Sequence, residues 1–493
     1  MVAATHDRLS GLPDATLARV LSHLQTDEAA RTSVLSRRWR DVHAAVPVVH
    51  LVDGKTGSRC HFRDPPICFD HKVAGALLCR DPRAPIRALR LDVFHPAVPL
   101  LDQWLLIALD AGADEVDVKL RYYDWFSSAP RLCPFAPHAG ASGDFDYHRL
   151  RYVRTPAQLF RAATLRRLRL TQWTLDVPRD VPSFPSLETL VLTRIMARDG
   201  ALQRLVSGCR NLAALTLEEC PTATVVTVPS ARLRSFAIAC CHQATRVALE
   251  TTCLSSLRYR GGLPPPGAPF LVSLGGHAGV ASATVDICEG IGEKNRAQVG
   301  PIAKLIGRCT NLTSLHLAVR PEMAYYSTQF AGALRGLRRL GLEGCLSNDR
   351  TVAAVIALLR SVHKLEALSL FLLLPDPPKK DDGAYLYDSD GKPGEEDGGG
   401  DKDGGEYRGD VFVPRRLWNT DTRCIKRRLR RIDLVGYRGR RWEKILAKFL
   451  LKKAMALEEV KVSVAPRLYG RRHEMARELE AWRFNHRTRV TCD

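Results

Sequence analysis

No stretch of this 493-residue chain is apolar for long enough to cross a bilayer. Spanning takes about 20 consecutive apolar residues, and the best run, Leu100–Ala111, is shorter and is broken by Asp102. The N-terminus, MVAATHDRL, lacks the apolar core of a secretory signal. There are 14 cysteines but no C-x-x-C pair, and no histidine accompanies a cysteine pair at zinc-finger spacing. Reduced, buried thiols in an intracellular protein are the expectation. Catalytic signatures are missing as well: there is no G-x-S-x-G elbow, no phosphate-cradling G-x-x-x-x-G-K and no dinucleotide glycine pattern. His473-Glu474 lacks the second histidine of a zinc-protease helix, and the prolines of GGLPPPGAP, 261–269, remove the N–H donors a phosphate would need. Aromatic side chains, 7% of residues, are too sparse to interleave with the basic stretches as a base-stacking surface does. The expectation is a non-catalytic protein of the nucleus or cytoplasm, with neither cofactor nor metal and without membrane contact.

What the chain has in abundance is one phrase, L-x-x-L-x-L. It appears as LRRLRL at 165–170, LETLVL at 187–192, LAALTL at 212–217, LRSFAI at 233–238 and LSSLRY at 254–259. It returns as LTSLHL at 312–317, LRRLGL at 337–342, LEALSL at 365–370, LRRIDL at 429–434 and LEEVKV at 457–462, with weaker copies at IRALRL, 86–91, and DEVDVKL, 114–120. The last two apolar positions alternate with period two, so both face inward from a short strand, and the first closes the turn leading into it. Spacings of mostly about 21–32 residues are those of leucine-rich repeats, whose units bury their faces only by stacking. The residues between and just after the paired apolar positions point outward. They nominate a target-facing wall of Arg167, Arg169, Thr216, Glu218, Ser235, Ala237, Arg258, Asp286, His316 and Arg339. Helical segments such as 199–206 and 299–306 precede some phrases, and Gly208 and Gly307 stand where a left-handed helix end is expected. Cys209, Cys220, Cys309 and Cys345 flank the strands, where burial is expected of them.

The N-terminal stretch DRLSGLPDATLARVLSHLQTDEAARTSVLSRRW, 7–39, has a different period. Leu17, Val20, Leu21 and Leu24 lie at i, i+3, i+4 and i+7 and form one helical stripe. Leu12-Pro13 opens that helix, and Ser36 is placed to cap a third short helix bearing Trp39 and Val42. About forty residues cannot hide this much apolar surface alone, so the module calls for a partner. LPD at 12–14, the Leu17/Leu21/Leu24 ladder and SVLSRRWR at 33–40 resemble an F-box. That resemblance implies docking onto a Skp-family adaptor, and through it a cullin, by Leu12, Pro13, Leu17, Leu21, Leu24, Val34, Leu35 and Trp39. Leu17→Asp with Leu21→Asp is expected to abolish that docking by burying unpaired charge.

Charge is uneven. The formal net charge is +20, yet Asp376–Asp410 holds 12 acids and 5 bases, while Val411–Asp493 holds 23 bases and 9 acids. The acidic segment is rich in glycine and poor in aliphatics and reads as a disordered insertion able to fold back on the basic region. Within the basic region, 429–464 resembles the FBD region that ends a large plant F-box/leucine-rich-repeat family: a strand, Gly436-Tyr437, Gly439, a helix carrying Ile445, Leu446, Phe449 and Leu450, and a closing strand at Leu457–Val464. Residues 69–94 and 103–118 are similar to that family's first repeats.

The expected organisation is an F-box at 7–50, a leucine-rich-repeat α/β solenoid (a horseshoe) at 60–374, the acidic insert at 375–410 and FBD-like terminal repeats at 411–493. The expected role is the substrate-recognition subunit of a Skp–cullin–F-box ubiquitin ligase, holding an unknown target protein. The alternative is a basic nuclear scaffold binding nucleic acid through KRRLRR, 426–431, with Arg438, Arg440 and Arg441.

Overall fold

A computed structural model describes residues 9, 11–54, 68–81, 84–94, 97–122, 133, 152–180, 184–275, 279–323, 330, 334, 336–374, 411–420 and 422–493. The acidic insert and most of the connection after Tyr122 lie outside these residues. The chain forms two compact units, one of residues 1–261 and 271–278, the other of residues 262–270 and 279–493.

The first unit opens with helices α1 (Asp14–Leu21), α2 (Thr26–Arg31) and α3 (Arg37–Ala44). Pro13 stands just before α1, extended at φ −62° and ψ 147°, as a proline without an N–H can without cost. Ser36 caps α3 by accepting from the Trp39 N–H at 3.3 Å. Leu17, Ala18, Leu21, Ala29, Val42 and Val46 form the core of the three helices, with Leu12 and Trp39 packed against it. Contacts that tie the module to the chain beyond α3 include the His50 N–H donating to Thr26 Oγ1 at 2.8 Å, the Asp81 N–H donating to the Ala44 carbonyl at 3.4 Å and Lys72 pairing with Asp27 at 2.8 Å.

Strands then succeed one another in sequence order. They are β1 (Val48–Val52), β2 (Ala88–Phe94), β3 (Glu115–Arg121), β4 (Arg167–Thr171), β5 (Thr174–Leu175), β6 (Thr189–Thr193), β7 (Met196–Ala197), β8 (Ala214–Glu218), β9 (Val225–Val228), β10 (Ser235–Ala239), β11 (Arg246–Leu249), β12 (Ser256–Gly261) and β13 (Val272–Leu274). The main ladder runs β1-β2-β3-β4-β6-β8-β10-β12, parallel throughout. A second parallel ladder, β9-β11-β13, and the short pair β5-β7 line other edges of the same repeats. Helices α4 (Phe69–Leu78), α5 (Val98–Asp110) and α6 (Ala201–Gly208) fill three of the connections.

The second unit repeats the scheme with β14 (Ser282–Gly290), β15 (Ser314–Glu322), β16 (Arg339–Cys345), β17 (Ala367–Leu372), β18 (Arg431–Tyr437), β19 (Glu459–Val464) and β20 (Arg489–Cys492), again all parallel and in sequence order. Its helices are α7 (Gly300–Gly307), α8 (Asp349–Ser361), α9 (Arg415–Trp418), α10 (Arg423–Arg428), α11 (Arg441–Lys453) and α12 (Arg472–Trp482).

The recurring phrase builds both units. In each full copy, and in IRALRL, all three apolar positions are buried, as with Leu187, Leu190 and Leu192 or Leu365, Leu368 and Leu370. The expected alternation therefore holds strand after strand. Two further devices keep neighbouring repeats in step. At three junctions the second position of the phrase is Arg in one copy and Glu in the next, giving Arg166–Glu188 at 2.6 Å, Arg338–Glu366 at 2.8 Å and Arg430–Glu458 at 2.9 Å. These pairs are exposed and add little stability, but they are satisfied only when the strands are in register.

The other device is in the backbone. The residue after β4, β6, β8 and β10 (Gln172, Arg194, Glu219 and Cys240) takes a left-handed φ of 62°, 54°, 49° and 51°. Each then donates its N–H to a carbonyl at the end of the next main-ladder strand, that of Thr193, Glu218, Ala239 or Arg260, at 3.0, 2.8, 2.7 and 2.7 Å. The side chain after it turns into the core as Trp173, Ile195, Cys220 or Cys241, all buried.

Gly208 and Gly307 do not act as left-handed helix ends. Both close their helices without positive φ, the chain leaving through Cys209 (φ −94°) and Arg308 (φ −81°). The expected reversal is unnecessary because the chain passes straight into the next phrase. Cys209, Cys220, Cys309 and Cys345 are buried as expected, and burial pushes the Cys209 thiol up to about 12 and that of Cys309 to about 11.

In the C-terminal stretch, Gly436 and Gly439 take φ of +75° and +68°, and Ile445, Leu446, Phe449 and Leu450 bury the inner face of α11. A Cβ at Gly436 would sit 2.8 Å from the Leu372 carbonyl oxygen. Gly436→Ala combines that clash with a left-handed φ and should cost about 1–3 kcal/mol, read as a lower urea midpoint. Gly470→Ala, where an added Cβ meets nothing within 4 Å, should change stability by no more than about 0.5 kcal/mol.

Candidate functional site

Two surfaces offer themselves, and the N-terminal module comes first. Arg38 holds its first and last helices together, donating through Nε to Asp14 at 2.7 Å and through Nη2 to the Leu12 carbonyl. With Leu17 and Leu21 buried in the core, the apolar side chains left outside are Leu9, Val20, Leu24, Val34 and Leu35. Val34, 85% exposed, and Leu35, 66% exposed, stand out, because they occupy the short 3-10 turn between α2 and α3 and pack on little of their own module.

The residues nominated for adaptor docking therefore divide. Pro13, Leu24, Val34 and Leu35 are exposed, Leu12 and Trp39 are half-buried, and Leu17 and Leu21 are fully committed to the core. Direct docking by Leu17 and Leu21 is thus corrected to a supporting role. Helical periodicity assigns one apolar stripe, and the helix spends two of its members on α3 and the Ala29 side of α2. The double substitution Leu17→Asp with Leu21→Asp would dismantle the module instead of testing its surface. Leu9 and Val20 are exposed positions outside the nominated set. Val20 belongs to the i, i+3, i+4 stripe, and Leu9 had no periodic signal to mark it.

The second surface is the outward face of the parallel ladders. In the first unit the register sets His50, Arg90, Asp117, Arg169, Val191, Thr216, Ala237 and Arg258 in one row across the strands. The row on one side contains Glu115, Arg167 and Ser235, and the row on the other contains Asp92, Lys119 and Glu218. Arg167, Arg169, Glu218 and Arg258 are exposed, and Thr216, Ser235 and Ala237 are half-exposed. The nominated residues of this unit thus share one face. Charge clusters toward β2–β4: Glu115 bridges Arg90 at 2.8 Å and Arg167 at 3.0 Å, and Asp92 pairs with Lys119 at 3.1 Å and Arg121 at 2.5 Å. Burial alone would lift the Glu115 carboxyl, but hydrogen bonds from Arg90 and Arg167 outweigh it and hold the group below the ordinary range. Toward β6–β10 the face is small and uncharged at Val191, Thr216 and Ala237.

In the second unit Arg339 is exposed, while Asp286 and His316 are half-buried in a local network. Arg320 reaches Glu343 at 3.0 Å and Asp286 at 3.7 Å, His316 Nε2 lies 3.6 Å from Glu343, and the His316 ring meets the edge of Phe371 at 5.1 Å. The His316 contact and Arg320 hold the Glu343 carboxyl below its usual range against the opposing effect of burial. Arg320 carried no signal in the sequence because it lies three residues beyond Leu317, the last apolar position of its phrase, whereas Glu343, directly after Leu342, stands at the outward position that Glu218 holds in its own phrase but was not among the nominated residues.

The basic stretch is largely used by the fold itself. Lys426, Arg427 and Arg428 lie on α10, whereas Arg430 and Arg431 pair with Glu458 and Glu459 beside the strands. Arg438 donates to the carbonyls of Leu372 and Gly436 at 2.9 and 2.8 Å, and Arg441 stacks on Trp442 with its guanidinium carbon 5.1 Å from the ring centre. What remains is a hollow of about 390 Å³ lined by Arg360, Val362, His363, Arg423, Cys424, Arg427 and Arg428.

Residues 9–42 match the F-box domain model, and residues 144–273 match the leucine-rich repeats of FBD-associated F-box proteins typified by At5g56370. The resemblance to the FBD-associated F-box/leucine-rich-repeat family is upheld by these matches. Among Arabidopsis thaliana relatives, the F-box/FBD/LRR-repeat protein At5g56420 is 28% identical over 236 residues, covering 47% of this chain and 49% of its own. The F-box/FBD/LRR-repeat protein At1g13570 is 28% identical over 216 residues, covering 43% of this chain and 44% of its own. The matches thus span less than half of each of these two relatives. No helix among the described residues is long and apolar enough to cross a membrane.

The Glu343 network yields a pH test. A carboxyl held low in the folded state adds stability that is present above the unfolded value of about 4.3 and is lost as pH falls through the folded value. Glu343→Gln should lower the urea midpoint at pH 7, and the difference from the wild-type protein should shrink steadily below about pH 4.

Proposed function

We propose that this protein is the substrate-recognition subunit of a Skp–cullin–F-box ubiquitin ligase, acting in the nucleus or cytoplasm without catalytic groups of its own. The F-box would seat on a Skp-family adaptor and through it a cullin. The two ladders, read as a leucine-rich-repeat α/β solenoid with the 411–493 stretch as FBD-like terminal repeats, would hold a target protein on their outward face. The observation that carries this reading is the exposure of Val34 and Leu35 on a module that matches the F-box. Large aliphatics displayed on a turn cost solubility unless a partner covers them.

The mechanism is positional. A target held on the face formed by Arg167, Arg169, Thr216, Glu218, Ser235, Ala237 and Arg258, or on that formed by Asp286, His316 and Arg339, has its lysines kept near a conjugating enzyme carried elsewhere in the ligase. Tethering converts a bimolecular encounter into an intramolecular one at millimolar effective concentration. The charge arrangement supports orientation of the target: a charged edge over β2–β4 would fix direction, while the small side chains over β6–β10 leave room for a protruding segment.

The scaffold reading, with nucleic acid held by the C-terminal region, has one observation in its favour, the arginine-lined hollow beside α10. Against it, Arg430, Arg431 and Arg438 are already engaged by carboxylates and carbonyls. Generic duplex should therefore be retained only at low salt, a steep loss with ionic strength marking non-specific phosphate contact.

Co-expression with a Skp-type adaptor tests the main proposal. Val34→Asp with Leu35→Asp removes two exposed aliphatics, each worth about 1.5–3 kcal/mol if buried in a complex. Adaptor binding should fall at least a hundredfold, since about 2.7 kcal/mol corresponds to that factor, with the urea midpoint unchanged. Adaptor recovery at the wild-type level would overturn the assignment. Photo-crosslinkers placed at Arg169 and Ala237 should capture the target, and capture only from the opposite side of the strands would overturn the proposed face.

A further inference from the structure

We infer that the first unit contains a zinc site built by Cys133, Cys240 and His242. The Sγ atoms of the two cysteines and a ring nitrogen of the histidine all lie within 4.8 Å of one another, and both cysteines are buried. A tetrahedral zinc with sulfur at about 2.3 Å and nitrogen at about 2.0–2.1 Å has ligand atoms roughly 3.4–3.8 Å apart. Closing on an ion thus takes a side-chain adjustment of at most about an ångström.

The placement of Cys240 sets it apart from its counterparts. It occupies the left-handed position after β10, which Gln172, Arg194 and Glu219 fill in the preceding repeats. There the side chain is polar and half-exposed, whereas at this repeat it is a thiol only 6% exposed. The same turn sends Cys241 into the core and returns His242 to the side of Cys240. A left-handed φ costs a non-glycine residue free energy wherever it occurs. The repeat accepts that cost for its backbone hydrogen bond, and here the turn additionally delivers two ligand atoms from residues i and i+2.

Two thiolates and an imidazole form a soft donor set suited to zinc. They leave one tetrahedral position for water or a further thiolate. Binding displaces the two thiol protons, so Zn²⁺ is held as a bis-thiolate and occupancy rises with pH. Its effect would be to pin Cys133, which stands about a hundred residues earlier in the chain, onto the turn after β10. That separation is why linear spacing gave no zinc signal. Nothing in this inference depends on ubiquitin ligase function.

The test is metal analysis of the full chain purified without chelator from zinc-supplemented medium. About one equivalent of zinc per chain is expected. Replacement by Co²⁺ should give the intense near-ultraviolet sulfur-to-cobalt charge-transfer band together with the visible bands of a tetrahedral ion. Cys240→Ser and His242→Ala should each reduce bound zinc at least tenfold, and Cys209→Ser, at a buried thiol elsewhere in the same unit, should leave it unchanged. Because the wild-type stoichiometry and cobalt spectrum decide the matter on their own, a variant that fails to fold does not weaken the test. Less than about 0.1 equivalent of zinc with no cobalt–thiolate band would overturn the inference. A Cys133–Cys240 disulfide found by mass spectrometry of the non-reduced protein would do the same.

Discussion

Everything in each of these two units depends on strands lying parallel, in sequence order and in register, so that every phrase drops its paired apolar residues onto the inner face of its own unit. Period two makes the arrangement unforgiving, because a slip by one residue would turn each Leu outward and each Arg inward. Hydrophobic burial drives the stacking and rules out that slip, but it does not rule out a slip by two residues, which keeps apolar positions on the inner face. The Arg–Glu pairs at three junctions and, in the first unit, the left-handed residue after β4, β6, β8 and β10 supply the remaining selection. One penalises misalignment through unmatched charge, the other through a lost backbone hydrogen bond.

The repeats were legible in the sequence for the same reason they are stable. The phrase repeats its pattern openly, and the buried triplets, from Leu165/Leu168/Leu170 to Leu457/Val460/Val462, are the ones its period names. The outward residues were legible with them, because alternation assigns both faces at once. Helical stripes are less explicit. A stripe such as Leu17, Val20, Leu21 and Leu24 says that one side of a helix is apolar, and leaves open how much of it the helix's own module consumes. Val34 and Leu35 are informative because they lie on a turn, where periodicity has nothing to say. Gly208 and Gly307 show the limit of reading caps from residue type, since glycine permits a left-handed end without requiring one. The turn that does require it is occupied by Gln172, Arg194, Glu219 and Cys240, none of them glycine.

Charge is spent differently in different parts of the chain. The basic excess of Val411–Asp493 looks like a binding surface when counted, yet much of it is fastened to strand edges, carbonyl oxygens and an indole ring. Two carboxylates on the outward faces are likewise engaged. Glu115 is held by two arginines, and Glu343 by an arginine and a histidine. A partner approaching these faces meets pre-oriented side chains whose conformational freedom has already been surrendered, so ordering them costs the complex less.

The left-handed residue after the strand has a consequence for how such a chain can change its length. Each of those residues gives its N–H to the strand of the next repeat and occupies the carbonyl at that strand's end. Excising one whole repeat therefore removes one donor and one acceptor together, and the ladder can close again with no orphaned group. An insertion of a whole repeat does the reverse with the same neutrality, whereas a partial repeat leaves a buried donor unmatched. Repeat number is thus a quantity that duplication and deletion can vary in integer steps while the fold's internal chemistry stays balanced.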